Sequence, residues 1–201
     1  MSKRKSRGKR SYDPQGTRGH ILDVAAEEFQ KRGYHATSMH DIMRIARVPG
    51  GSVYHYFPTK KSLGLAVIRE RVAASVANTW IEPLRKPLSA SQAILAVFDA
   101  VADNMRSGAV LGCPLNNLTL ELSRTDRDFQ LALREVFERW EQAIAGRLRD
   151  GAATGGAANA DYSRMATVVV AVFSGAMSLA KAAQNAAPIR TCREELVRLL
   201  R

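Results

Sequence analysis

Cysteine, acidic residues and long apolar runs are all scarce in this chain. Only two cysteines occur in 201 residues, Cys113 and Cys192. They are far apart and show no metal-ligand spacing, so neither a disulfide framework nor a zinc site is indicated. A reducing cytoplasm is the expected compartment. His35 and His40 lie close together, but no carboxylate or cysteine completes a set with them, so no metal and no cofactor is expected. The longest near-apolar stretch, residues 165–180, is shorter than the roughly 18 to 20 residues of a membrane span. Thr167, Ser174 and Ser178 interrupt it, so it is read as a buried helix and no membrane partner is expected. The N-terminus is positively charged but no apolar run follows it, which argues against a signal peptide. The chain holds no H-E-x-x-H, P-loop, G-x-S-x-G or dinucleotide fingerprint, so it is not read as an enzyme.

What is abundant is positive charge, and it is concentrated. The chain has 30 Lys and Arg against 19 Asp and Glu, a formal net charge of +11. Residues 1–71 hold 15 basic against 6 acidic side chains, whereas residues 72–201 hold 15 against 13. A localised excess of this kind is the electrostatic footprint of a phosphate binder. Residues 1–16, with six Lys or Arg and with Gly8, Pro14 and Gly16, cannot bury apolar surface and are expected to form a basic disordered arm.

From Thr17 the pattern is helical. Leu22, Ala25, Ala26 and Phe29 make one apolar face, and Gly33 is placed to close the helix. Ser38 and Asp41 form a variant capping box that starts a second helix, in which Ile42, Ile45 and Ala46 are expected to face inward. Pro49, Gly50 and Gly51 predict a sharp turn over residues 47–51. A short third helix follows, with Val53 packing back and Ser52, Tyr54 and His55 able to point outward. Helix, turn and short second helix is the arrangement that presents one helix to the major groove of DNA. Phe57 is read as a core aromatic. Pro58 stops this helix, and Thr59 is placed to cap a long fourth helix that runs towards Trp80.

Five further helices are expected over residues 93–105, 114–122, 126–149, 161–184 and from 188 onward, with a small-residue loop at 151–160. The fold class is therefore all-α, with about nine helices and no convincing strand. The expected division is the arm at 1–16, a DNA-binding domain at 17–63, and a helical domain at 64–201 to which a family resemblance, carried by residues 17–65, assigns ligand binding and dimerisation.

Residues 17–65 closely resemble the tetracycline-repressor (TetR/AcrR) family of transcriptional regulators. The residues that carry the resemblance are Ile21, Leu22, Asp23, Val24, Ala25 and Phe29, then Gly33-Tyr34, Thr37-Ser38, Ile42 and Ala46, then the run from Val48 to Phe57, Lys60 and Leu63. The resemblance implies a homodimer that binds double-stranded operator DNA and answers to a small-molecule effector. It implies that Thr37, Ser38 and His40 lie where the second helix begins over the DNA backbone. Gly50, Gly51 and Ser52 would start the recognition helix. Tyr54, His55 and Tyr56 would contact phosphate or thymine methyl groups, and Lys60 would clamp a phosphate at a helix N-terminus. Gly50 stands where many members carry a long polar residue, so base readout here is expected to rest more on DNA shape.

Cys113 precedes Pro114 at a predicted helix start and looks like the Gly-Cys of a branch of that family that includes electrophile-responsive repressors. Two readings follow: a thiol sensor that releases DNA when modified, or a small hydrophobe beside a ligand pocket, which is preferred. Trp80, Phe98, Met105, Cys113, Asn117, Phe137, Trp140, Phe173 and Met177 are candidate pocket residues. Val172, Gly175, Ala176, Leu196 and Leu199 are candidate dimer-interface residues. The expected function is a ligand-responsive transcriptional regulator, a repressor released from a palindromic operator by its effector. A thiol-sensing repressor, a non-specific DNA-binding protein and a cytosolic enzyme are the competing classes.

Overall fold

The computed structural model describes residues 14–105, 109–152 and 161–200. Among these residues there are nine helices and no strand. They are α1 (Pro14–Arg32), α2 (Met39–Ala46), α3 (Gly50–Tyr56), α4 (residues 60–84), α5 (Ala90–Asn104), α6 (Pro114–Leu122), α7 (Arg127–Ala152), α8 (Tyr162–Ala183) and α9 (Ala187–Leu199). The basic segment 1–13 and the loop residues 153–160 lie outside the described residues. Helix α1 begins three residues earlier than expected, because a proline costs nothing in a first turn whose N–H groups have no helical partner.

The first four helices are set by local caps. Gly33 adopts φ +88°, and its N–H bonds to the Phe29 carbonyl at 3.0 Å, closing α1. Ser38 and Asp41 form a reciprocal capping box: the Asp41 N–H donates to Ser38 Oγ, and the Ser38 N–H donates to the Asp41 carboxylate, both at 3.0 Å. The Ser38 hydroxyl and N–H hold the Asp41 carboxyl down at about 2. Thr59 and Ser62 repeat the arrangement at the start of α4. The turn between α2 and α3 departs from expectation. The left-handed residue is Arg47, at φ 54°, and both glycines are already helical. Ile45 is also more exposed than expected. The inward face of α2 is taken by Ile42 and Ala46, one turn apart, and Ile45 falls on its flank.

Helix α4 crosses residue 63 without a break. Two π-helical stretches, Val67–Val72 and Ala77–Ile81, lie within it. It is tied to α1 by Arg18 to Glu70 at 2.7 Å and by Arg71 to Asp23 at 2.6 Å. Its C-terminal half enters an aromatic core in which Trp80, Phe98, Trp140 and Phe173 meet, mostly edge to face, with centroids 4.9–5.8 Å apart. Helix α8 has the length and mean hydropathy (1.6) to cross a membrane. Here its apolar residues 173, 176, 177 and 180 form one face buried against α7 and α9.

Among the described glycines, Gly64 makes the tightest approach. A Cβ there would stand 2.7 Å from a Tyr34 ring carbon and 3.0 Å from the Phe129 ring. Gly64→Ala is expected to destabilise the protein by about 1–3 kcal/mol through overpacking, lowering the thermal midpoint by several degrees. A midpoint that stays put or rises would show that this contact is loose.

Candidate nucleic-acid interface and its coupled cavity

The face formed by α2 and α3 carries most of the predicted DNA contacts on its outside. Tyr54 is 51% exposed and His55 is exposed; Ser52 and Tyr56 are half-buried. A Cβ at Gly51 would meet nothing within 4 Å, so this glycine leaves a bare backbone where the helix faces outward. Gly50 instead packs on Met43, with Sδ 3.4 Å from the position of a Cβ. His40 is exposed at the start of α2. Two predicted contacts need correction. Thr37 is 0% exposed, and its hydroxyl donates to the Gly33 carbonyl at 2.8 Å, so its side chain holds the α1–α2 turn and cannot reach DNA. Ser38 is exposed, but its hydroxyl is engaged with Asp41. Arg44 on α2 and Arg47 just after it are exposed and were not among the predicted contacts. Two arginines one position beyond an apolar residue in a short helix were the available signal.

Lys60 lies at the first residue of α4. Its Nζ stands 4.3 Å over the Tyr34 ring and donates to the His35 carbonyl at 3.3 Å. Burial lowers its pKa, against the attraction of Glu121. The neighbouring Lys61 is spent on Asp126 and Asp128, both at 2.7 Å, and so joins α4 to the start of α7.

Below this face, α6 grips the α1–α2 turn. The Glu121 carboxylate accepts the Tyr34 N–H at 2.9 Å and the His35 N–H at 2.6 Å. Charge-assisted bonds of this kind contribute roughly 1.5–3 kcal/mol each. The Tyr34 ring stands edge-on to Phe29 and Phe129, each at 5.2 Å. Further along α1, Gln30 Nε2 donates to the Gly112 carbonyl at 2.8 Å, and Asn117 Nδ2 donates to the Leu111 carbonyl at 2.8 Å. Asn117 was expected in the pocket. It is instead part of this strut, because its amide completes the carbonyls of the bend that precedes α6.

The other end of α6 opens onto a cavity of about 150 Å³. Five of the nine predicted pocket residues line it: Trp80, Cys113, Trp140, Phe173 and Met177. Phe98 lies behind the wall, fully buried against Trp80 and Phe173. Phe137 stacks on Trp140 from outside, and Met105 packs elsewhere against the core. Sequence reasoning missed Val72, Ser75, Val76, Thr79, Val101, Pro114 and Leu115. Val72, Thr79 and Trp80 come from the π-helical stretches of α4, which are frequent at functional sites. Among the described residues, no charged side chain lines the cavity. Burial raises the Cys113 pKa, and the N–H groups of Asn116 and Leu115 offset this only in part, so the thiol stays protonated.

On the opposite side, α8 presents an uncovered stripe of small and apolar residues. Val168 and Leu179 are 42% and 59% exposed, and Ala171 and Gly175 are exposed between them. Val172 is half-buried and Leu199 is exposed beside them. Ala176 and Leu196 were expected in this group, but they are buried in the chain's own core, on the inward faces of α8 and α9.

Residues 21–67 match the family described as "Bacterial regulatory proteins, tetR family". Residues 90–195 match "Transcriptional regulator LmrA/YxaF-like, C-terminal domain". The chain is similar to the transcriptional regulator AcuR of Cereibacter sphaeroides, 31% identical over 156 residues, 74% of this chain and 69% of that protein. The HTH-type transcriptional repressor DhaR of Mycobacterium sp. strain GP1 is 25% identical, over 86% of each chain. The fold matches that of reduced Escherichia coli NemR with a TM-score of 0.82 at 23% identity, covering 90% of this chain and 94% of that one.

Two outcomes follow from this geometry. Iodoacetamide at neutral pH is expected to label Cys113 at least tenfold more slowly in the folded protein than in denaturant, read by peptide mass spectrometry; equal rates would make it an accessible thiol. In Glu121→Ala, amide exchange at Tyr34 and His35 is expected to rise at least tenfold. Unchanged exchange would mean that the carboxylate does not hold the turn.

Proposed function

This chain belongs to the tetR family of bacterial transcriptional regulators, and on that premise we propose that it is a homodimeric repressor released from its operator by a small molecule bound in the α4–α6–α7–α8 cavity. The observation that carries the proposal is the placement of α6. Its first residues stand at the cavity, and Glu121 near its end holds the turn that leads into α2.

The mechanism follows from the connections. Residues 17–63 form the DNA-binding part and residues 64–201 the sensing part, with α4 continuous between them. An occupant of the cavity presses on α4 at its π-helical stretches and on α6 at its N-terminus. Either displacement reaches the start of α2 or of α4, and so moves α3. In a dimer, two α3 helices must enter major grooves about one helical turn apart, so a shift in their separation weakens binding. Linkage requires operator to weaken effector binding by the same factor. Val168, Ala171, Val172, Gly175, Leu179 and Leu199 are assigned to the dimer contact, where small residues allow close helix approach. On DNA, Tyr54, His55 and the Gly51 backbone meet the groove, with Arg44, Arg47 and Lys60 on phosphate. The protein acts in the cytoplasm and is not an enzyme. Thiol sensing at Cys113 is the second reading. Cys113 stands in the cavity wall, but its buried, protonated state favours non-covalent binding there.

The test is fluorescence anisotropy on the DNA beside the protein's own gene, against scrambled DNA at physiological salt. Wild type is expected to prefer the former by about a thousandfold. Tyr54→Ala and Lys60→Ala are each expected to weaken binding at least tenfold while the dimer persists on size-exclusion chromatography. Unchanged affinity in both variants would overturn the assignment of α3 and of the α4 N-terminus.

A further inference from the structure

A second cavity, of about 210 Å³, lies between α1, α4 and α6. Val72, Ser75 and Pro114 stand in its wall and also in the wall of the first cavity, so the two lie back to back across these three side chains. Two helices run past both. Along α4, the π-helical stretch Val67–Val72 supplies Val67, Arg71 and Val72 to the second cavity, and the stretch Ala77–Ile81 supplies Thr79 and Trp80 to the first. Ser75 lies in the α-helical turn between them. Along α6, Leu115 lines the first cavity and Leu118, about one turn on, lines the second. The remaining wall of the second cavity is α1, through Ala26, Phe29 and Gln30. Among the described residues, the first cavity takes none of its wall from α1. Phe29 meets the Tyr34 ring and Gln30 bonds the Gly112 carbonyl, so an occupant of the second cavity lies directly against the contacts that join α1 to the later helices. Each cavity has at least the volume of one that takes up a molecule the size of benzene.

We infer that the two cavities form one site for an elongated, largely apolar effector, an unbranched chain of roughly eight to twelve carbons, as two benzene-sized volumes end to end would hold. The inference rests on the reading of the first cavity as the effector site. One end of the chain lies among the rings of Trp80 and Phe173. The other passes Ser75 and reaches Ala26 and Phe29, inside the DNA-binding part. Every methylene that passes Ser75 leaves water for an apolar wall, so affinity grows with length until the second cavity is full. A short molecule fills the first cavity alone and touches α1 nowhere.

The experiment titrates the full-length protein with the 1-alkanols from butanol to decanol. Binding is read from the emission of Trp80 and Trp140, the only tryptophans in the chain and both in the first cavity, and release from the anisotropy of labelled operator. In wild type, affinity is expected to rise about threefold to fourfold per methylene, so that decanol binds at least about thirtyfold more tightly than hexanol. Ala26→Leu, which fills the second cavity from α1, is expected to bring decanol to within about threefold of hexanol while hexanol itself stays within about twofold of wild type. Leu118→Phe, which enters the second cavity from α6, repeats the test if that variant does not fold. A wild-type gain that stops near hexanol would overturn the spanning site and leave the first cavity a ligand site. A decanol advantage that survives both variants would also overturn it, because the chain would then leave the first cavity by another path. If no alcohol alters the emission, both this inference and the assignment of the first cavity as effector site fail. If decanol binds with the expected profile but releases no operator, the spanning site stands and the effector assignment fails.

Discussion

Glu121 receives two backbone N–H groups from a turn that is 87 residues away in sequence, and the rest of the molecule depends on that junction. The α1–α2 turn must be held at a fixed angle if α2 and α3 are to present a common face. Gly33 supplies the left-handed residue that lets the chain reverse, and a Cβ there would crowd the same carboxylate at 3.1 Å. Tyr34 then places its ring where α1, α4 and α7 converge, with Gly64 making room for it and Lys60 capping its face. The α2–α3 face is thus joined to the later helices at this contact, alongside the Gln30–Gly112 bond and the Lys61 ion pairs. On the proposed function, moving α4, α6 or α7 would change its geometry.

Much of this was legible in the residues because it is local. The capping box at Ser38, the cap at Thr59, the Gly33 stop, the exact span of α6 and the inward placing of Val53 and Phe57 all follow from patterns within a few positions. What was missed is non-local or depends on small angular differences. Nothing near Glu121 in sequence says that it reaches Tyr34. Thr37 reads as an exposed polar residue until its hydroxyl is seen to serve the Gly33 carbonyl. The glycines after Pro49 suggested the bend, yet Arg47 takes the left-handed conformation. In the cavity, aromatic identity overstated the role of Phe98 and Phe137. Ser75 and Thr79 were overlooked because a helical Ser or Thr normally signals solvent.

The same polar positions give the cavity its character. Val72, at the end of the first π-helical stretch of α4, and Thr79 and Trp80, in the second, stand in the wall beside Ser75. The result is a mostly apolar chamber with hydroxyls at Ser75 and Thr79 and, among the described residues, no charged side chain. Cys113 sits in it as a protonated thiol, which suits packing against an apolar guest better than reaction. The helix that lines the chamber is also the one that begins with Lys60, and on the proposed function this is how occupancy there would bear on DNA binding.

The direct test of that coupling is the emission of Trp80 and Trp140 during titration with operator DNA, since both report the cavity and neither lies on α2 or α3. Operator is expected to change their emission, saturating together with anisotropy, while scrambled DNA at the same concentration leaves it unchanged. An emission that stays constant through full operator binding would contradict the account, because the cavity and the DNA face would then be independent.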